Sequence, residues 1–490
     1  MNDAKFDVIV VGCGIAGLSA ALSAAENGAT VALLERATFE ERGGQTRYTE
    51  AYFRMKSENE VSDDFEEHLA ENSGGHPDPS LIDAMTGARE HWPAYLKSLS
   101  INDPNLISAF ADAAGPTVQW LKGFGVRFDF LPTQFLTKTQ PRLLPVGGGL
   151  ALVETLAAAA DKARVQFFYE TTARRLILDS HGGVAGVEVS AKNQRRVMRA
   201  QAAVLGCGGF EGNSEMQTRY LGPRSVYLRP ICRGAYYNKG EGIEMALDIG
   251  AAPCGDFGSY HAEPIDPRSG VAEASLMIFP YGILVNQEGR RFTDEAPGAV
   301  DATYERVTRR IYEQTEGIAY IILDARIEDV PNYRLAIRTD QPPITAASIA
   351  ELAGKLGLPP ATLADTVKSY NAACRGGTFK PLEVDGLATA GLVPPKSNWA
   401  RALDRAPFTA YPVISANVFT FGGLKIDEHG RVLDSDGAAI AGLYAAGETV
   451  GMYYKTYTGA TSVMKGAVFG RLAGAHAAKS NKAIASHGAI

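Results

Sequence analysis

An α/β fold built on a parallel sheet and carrying a mixed α+β insertion is predicted by three features of this 490-residue sequence. A strand, a glycine turn, a helix and a second strand follow one another over residues 6–35. Strand-to-glycine turns return near residues 205 and 442, and the stretch between about 264 and 407 has a hairpin-and-helix pattern of its own.

The elements read in order as follows. "FDVIVV" (6–11) is a buried strand, "GCGIAG" (12–17) a turn, "LSAALSAAEN" a helix stopped at Gly28, and "TVALLE" (30–35) the second strand. This βαβ unit calls for a parallel sheet with a right-handed crossover. Residues 51–145 are mostly amphipathic helical stretches, with the aromatic-rich "GFGVRFDFLPTQF" near their end. Sheet patterning resumes in "VQFFYETTARRLIL" (165–178), and a hairpin then runs into a buried strand ending at Gly206–Gly209. The insertion holds a hairpin at 281–295, helices around 347–373, and the irregular loop 376–396. Strands and glycine turns follow from 408, closing on a helix (461–477) and a polar tail expected to fray.

Composition bounds the function. A net charge of −7 gives no reason to expect a nucleic-acid partner, so an anionic ligand would have to meet a local basic pocket. Five scattered cysteines (Cys13, Cys207, Cys232, Cys254, Cys374) lack the spacing of a zinc, iron–sulfur or haem site, so no metal is expected. They read as reduced thiols of a cytoplasmic protein. The apolar run 8–25 imitates a signal or membrane segment, but its regular glycines and the absence of a basic leader mark it as part of a soluble fold that does not span a membrane.

Gly12, Gly14 and Gly17 form GxGxxG between a strand and a helix, the arrangement that lets backbone approach a pyrophosphate. Glu35 ends the second strand, where a carboxylate can take the ribose hydroxyls of an adenosine; Ala16 and Arg36 flank these positions. Two further glycine clusters, "ERGGQTR" (41–47) and "LGCGGF" (205–210), and the acid-bearing "GLYAAGE" (442–448) suit a long, fixed cofactor gripped from several parts of the chain. FAD fits that description better than a nicotinamide nucleotide.

With "KGEGIEMALDIGAA", "GILVNQEGRRFTDE" and "LADTVKSYNAAC", these segments resemble the fumarate reductase/succinate dehydrogenase flavoprotein superfamily over essentially the whole chain. "ERGGQTRYTEAYFRM" and "GRRFTDE…TYERVTRRI" look most like the tricarballylate dehydrogenase branch; the 3-ketosteroid Δ1-dehydrogenases are more distant. The resemblance implies a discontinuous, Rossmann-like FAD-binding domain (1–263 and 408–490) with an inserted α+β substrate cap domain (264–407). It also implies contacts to FAD from Gly43, Gly44, Gln45 and Thr46, from Ala173, from Gly208 and Gly209, and from Gly447 and Glu448. Ser462 and Val463 would lie at a helix N-terminus facing the flavin N1/O2 edge, where negative charge collects on reduction. The GGQTR loop has no histidine, so the FAD is expected to be non-covalent.

Departures from the family are equally informative. His261 matches a histidine that binds substrate carboxylate, but the second such histidine is Phe419 here. The proton-donating arginine falls in "APGAV" and is absent, and the substrate-clamping arginine aligns with about Tyr457. Tyr457 and Thr461 in turn resemble the Tyr-x-x-x-Gly with which the ketosteroid enzymes polarise a ketone. Tyr453, Tyr454 and Lys455, crowded beside Tyr457, could line the same face, or could simply pack under the cap. Arg229 and Arg233 could add positive charge, and His68, His76 and His91 read as solvated.

The expected function is therefore an FAD-dependent dehydrogenase (desaturase) acting on CH–CH groups. It would remove an α-proton from a small carboxylated, tricarballylate-like substrate while a β-hydride passes to flavin N5. The alternatives are the same chemistry on a cyclic keto acid such as 4-oxocyclohexanecarboxylate or on a 3-ketosteroid, and a flavin electron-transfer module of a larger complex. Electrons would leave to an external acceptor: oxygen, a quinone through a partner protein, or an artificial dye.

Overall fold

The computed structural model describes residues 5–72, 78–85, 87–101 and 103–487; His76 lies outside the described residues. Its main sheet runs, from edge to edge, through Arg431–Leu433, Ala439–Ala445, Gln194–Leu205, Lys5–Val11, Val31–Leu34 and Gln166–Phe168. The central pairs are parallel, with Val8 opposite Val31 and Val10 opposite Val204. Both faces of the first strand are covered, which explains its near-continuous apolar sequence. The run 165–178 does not form one strand. It breaks at Tyr169–Glu170, where Glu170 takes φ +50°, into the parallel edge strand and an antiparallel strand Thr171–Leu178. The latter forms a meander with Val184–Ala191 and Gln194–Leu205.

Close approach of backbones holds the centre of this body together. At Gly12, with φ +101°, a Cβ would lie 2.3 Å from the carbonyl oxygen of Gly206 on the neighbouring strand. At Gly17 it would lie 1.7 Å from the carbonyl oxygen of Gly12, so helix Ile15–Glu26 can sit on its strand only with a bare Cα there. The C-terminal helix Ser462–His487 lies against Ile15–Glu26 by the same device, since Cβ atoms at Gly470 and Gly474 would meet the carbonyl oxygens of Ala16 and Ala20. That helix continues to His487, past the expected stop at 477.

A second sheet joins Tyr260–Ile265, Phe408–Thr420, Ile318–Leu323 and Ile283–Val285, with Ile344–Ala346 and Arg229–Pro230 also on the long strand Phe408–Thr420. The expected boundary after residue 263 thus falls inside one of its strands, and that after 407 immediately precedes another. The expected hairpin at 281–295 has its turn, but the return arm pairs through a single bridge, Val285 with Arg291. Arg291 instead forms a buried ion pair with Glu295, whose Oε1 accepts the N–H of Leu284. Helices Ile349–Leu356 and Pro360–Ala373 occur as expected. The loop 376–396 is irregular yet anchored: buried Lys396 donates to the carbonyls of Pro280 and Gly282, and the Trp399 indole donates to those of Lys380 and Glu383. Helix Val300–Tyr312 packs on this sheet and presents Asp301, Tyr304 and Glu305 on one face, as their i, i+3, i+4 spacing requires.

Substituting Gly17→Ala should destabilise the protein by about 3 kcal/mol or more, because backbone rather than a flexible side chain opposes the new methyl. Gly123→Ala, at a helix end with open space around it, should be near neutral. Urea unfolding midpoints of the two variants measure the contrast.

Candidate active site

A cleft of about 1280 Å³ runs along the carboxyl ends of the parallel strands, bounded by Val11, Leu34 and Gly206. Its walls come from segments far apart in the chain: the turn Gly12–Ala16, Glu35 and Arg36, the loop Gly43–Thr46, Thr171–Ala173, Gly447–Glu448 and Ser462–Gly466. Two helix N-termini open into it, at Gly14 and at Ser462. The buried Glu35 carboxylate accepts the N–H groups of Cys13 at 3.1 Å and Ala37 at 2.8 Å, while burial raises its pKa. Glu448 accepts the Thr420 N–H at 2.8 Å and lies beside Glu211. Burial, chiefly, and this proximity hold the Glu211 carboxyl well above its ordinary range, and burial raises that of Glu448. The Gln45 amide donates to both. Lys465, in the first turn of the C-terminal helix, donates to the Val450 carbonyl at 2.8 Å; burial brings its pKa down to about 7.

A second cavity of about 460 Å³ adjoins the cleft, sharing Thr49, Glu273, Val418, Phe419, Ser462 and Val463 as border. Strand Tyr260–Ile265 contributes His261 and Glu263, two residues apart and so on one face. His261 Nε2 lies 2.7 Å from the Tyr304 hydroxyl, and its Nδ1 is buried with no protein partner. Burial, with Arg309 and Arg142 nearby, pushes the imidazole pKa well down, so the ring is neutral. Burial likewise keeps the Tyr304 phenol protonated. The guanidinium of Arg142 is the cation on this wall. It is buried, 3.5 Å from Asp301, 4.6 Å above the Phe135 ring, and its Nε has no partner. On the same wall are Glu263 and Glu273, whose pKa values burial raises to about 8 and about 7.

The structure gathers most of the expected cofactor residues on the cleft: Gly12, Gly14, Ala16, Glu35, Arg36, Gly43, Gly44, Gln45, Thr46, Ala173, Gly208, Gly447, Glu448, Ser462 and Val463. Gly17 and Gly209 do not line it. Gly17 packs helix on strand, and a Cβ at Gly209 would lie 2.2 Å from Glu448 Oε1.

The crowded segment 453–457 divides in direction. Tyr457 faces the second cavity, and Tyr453 lines the cleft with its hydroxyl 2.8 Å from Thr461 Oγ1. Tyr454 points the other way, to Cys254 at 3.3 Å and Ser100 at 3.4 Å, and exposed Lys455 lines neither space. The Tyr457 oxygen accepts the N–H groups of Thr461 at 2.9 Å and Ser462 at 3.0 Å. The Thr461 amide expected for a substrate ketone is therefore occupied by the phenol itself.

Arg229 is spent on the carbonyls of Pro267 and Asp266, and Arg233 pairs with Glu41 near the surface. His91 is exposed, whereas His68 is half-buried with an unpartnered Nδ1. Cys13, Cys207 and Cys232 line the cleft as free thiols kept protonated by burial.

Sequence reasoning missed Arg142, Tyr304, Glu263, Glu273 and Lys465. Only the run "PRLLPVGGG", an arginine between prolines ahead of a glycine-capped helix, hinted that Arg142 has a fixed place.

The family model described as FAD binding domain matches residues 7–463, and the chain belongs to that family. It is 27% identical to vinyl phenol reductase of Lactiplantibacillus plantarum, over 99% of each chain. It is also 27% identical to 4-oxocyclohexanecarboxylate 2-dehydrogenase of Sinomonas cyclohexanicum, over 94% of this chain and 90% of the relative. The open conformation of a flavocytochrome c3 fumarate reductase superposes with a TM-score of 0.73 at 26% identity, covering 97% of this chain and 78% of that one. The protein is thus an FAD-dependent oxidoreductase of the fumarate reductase/succinate dehydrogenase flavoprotein superfamily, acting on CH–CH or C=C bonds. The cleft suits FAD on its own geometry, with two helix N-termini and a lining of glycine backbone. Among the described residues no helix is long and apolar enough to cross a membrane.

The raised carboxyl pKa of Glu263 gives a signed prediction. Between the ordinary value of 4.5 and about 8 the folded state holds a proton that the unfolded chain has lost. Its contribution to stability is full below that window and is lost as pH rises through it. Glu263→Gln, which needs no proton to stay neutral, should therefore gain several degrees in unfolding temperature relative to the parent between pH 5 and pH 9. Calorimetry of both proteins across that range measures the difference.

Proposed function

We propose that this enzyme interconverts a CH–CH bond and a C=C bond beside the carbonyl or carboxylate of a small substrate bearing one anionic group. The observation carrying this reading is Arg142, a buried cation with an unpartnered Nε on a cavity that opens onto the cofactor cleft. A guanidinium has five N–H donors and takes a carboxylate or enolate oxygen in a charge-assisted pair. A tricarballylate-like substrate fits less well, since three carboxylates would meet one arginine. A keto acid of the 4-oxocyclohexanecarboxylate kind, whose ring carries a single carboxylate, is the better-supported class.

In this reading residues 1–263 and 408–490 hold FAD non-covalently and 264–407 cover the substrate. Glu35 and the Gly12–Gly14 turn bind the adenosine and pyrophosphate, and the N-terminus at Ser462 faces the isoalloxazine. FAD, when bound, supplies the hydride acceptor or donor.

The chain's own groups do the rest. Arg142 orients the substrate and stabilises charge that develops on its oxygen. Tyr457, on the wall of the second cavity, exchanges the α-proton, its own hydroxyl donating to Ser462 Oγ at 3.0 Å. The two backbone N–H groups converging on its oxygen stabilise negative charge there in the transition state. With the Tyr304 hydroxyl donating to Nε2, His261 presents Nδ1–H to the cavity as a neutral hydrogen-bond donor. Phe419 and Phe135 exclude water. Electrons pass to an external acceptor.

Anaerobic mixing of the holoenzyme with 4-oxocyclohexanecarboxylate should bleach the long-wavelength flavin band, whereas tricarballylate and succinate should leave it. Bleaching by tricarballylate alone would overturn the single-anion reading. Arg142→Met should lower kcat/KM about a hundredfold or more with unchanged flavin content. Tyr457→Phe should lower kcat with little effect on KM.

A further inference from the structure

The cleft that suits FAD is lined by two basic side chains, Arg36 and Lys465, and only the first is paired with an acid. Arg36, beside Glu35, binds Glu241 at 2.7 Å. Lys465 stands at the Ser462 end, in the first turn of the C-terminal helix, and is 2% exposed. Among the described residues its Nζ makes one hydrogen bond, to the Val450 carbonyl at 2.8 Å, and no ion pair. The same atom lies 4.6 Å from the centre of the Tyr453 ring, which also lines the cleft. The titratable groups acting on it are the Glu448 carboxyl and the Cys254 thiol. Glu448 is committed to the N–H and hydroxyl of Thr420, and Cys254 Sγ lies 3.3 Å from the Tyr454 hydroxyl. A charged lysine has three N–H donors, and the chain here uses one. A buried amine so short of partners gives up its proton unless an anion comes within reach, and burial accordingly brings its pKa down to about 7.

Resting on the reading above that FAD fills this cleft with its isoalloxazine at the Ser462 end, we propose that Lys465 is the charge-balancing residue of the cleft, taking up a proton when the bound cofactor gains electrons. The balance is two electrons and two protons. A hydride brings two electrons and one proton and adds one negative charge to the cleft; the second proton passes from solvent to Lys465 Nζ. The added negative charge favours the charged form of the lysine and so raises its affinity for a proton. By linkage, the protonated lysine favours reduction of the cofactor by the same factor. Lys465 therefore biases the enzyme toward taking hydride from a CH–CH group while it is protonated, and toward giving hydride to a C=C bond once it is not.

The test is the two-electron reduction potential of the holoenzyme from pH 6 to pH 9, measured by anaerobic titration with dithionite and redox dyes, without substrate. Each proton taken up with the two electrons shifts the equilibrium tenfold per pH unit, about 30 mV. The parent potential should fall by about 30 mV per unit near pH 6 and by about 60 mV per unit over a stretch above pH 7. Lys465→Met should keep the shallow slope throughout and lie about 30 mV or more below the parent at pH 6, a tenfold or greater effect, with the gap narrowing as pH rises. Lys465→Arg, charged over the whole range, should also be shallow but stay above the Met variant at pH 9. A merely structural loss would shift the potential evenly across pH and leave the bend in place. A shallow slope throughout in the parent, which needs no variant to fold, would overturn the inference while leaving the function standing. So would a steep stretch that persists in either variant, because the second proton would then belong to another group. Protein that holds no FAD would overturn both.

Discussion

The junction between the two cavities depends on one hydrogen-bonded node, the phenol oxygen of Tyr457 seated on the N–H groups of Thr461 and Ser462. A helix start buried without such a partner would leave its first donors orphaned. Because the oxygen comes from a residue four positions upstream, the chain must arch back on itself, and both flanks of the arch are tied. The Tyr457 N–H donates to Glu305 at 2.9 Å, and the Tyr453 hydroxyl meets Thr461. Lys465 fastens the other side through the Val450 carbonyl. The crowding of aromatic residues beside glycines in this segment follows. The glycines let the backbone lie close to the cofactor cleft, and the phenols supply the polar atoms that a buried helix terminus and an enclosed cavity both need.

How much of this could be read from the sequence follows from the range of each interaction. The βαβ unit was legible because its signals are local: a continuous apolar run, a glycine turn, and a carboxylate at the end of the second strand. The cofactor loop, the later glycine turns and Glu448 were legible because each is a short pattern tied to one backbone conformation. The substrate cavity was not. Arg142 reaches it from a segment more than a hundred residues before Glu273 and Tyr304, and a lone arginine among prolines carries no mark of its destination. The direction of Tyr454 was also hidden, since an irregular segment has no fixed side-chain period. The stretch 165–178 misled for the opposite reason, its continuous β pattern concealing a turn that Glu170 makes at positive φ.

The two family arginines, a proton donor and a substrate clamp, each absent from its motif position, illustrate how chemistry constrains place rather than sequence. In the proposed function the cation that meets a charged substrate oxygen is Arg142, supplied from another segment. Asp301 lies 3.5 Å away, but its two carboxylate oxygens are already engaged by the Thr139 N–H and hydroxyl. Those competing donors weaken its hold on the guanidinium, so Arg142 is only partly neutralised. A fully paired arginine would contribute little to binding an anion, and an unpaired buried one would destabilise the fold by several kcal/mol. The shared Asp301 sets Arg142 between these limits. The same balance governs the acids: were Glu263 and Glu273 both ionised at neutral pH, their repulsion would close the cavity to any carboxylate. Burial, by holding the Glu263 proton on and raising the Glu273 pKa to about 7, lets one small space hold an arginine beside two acids.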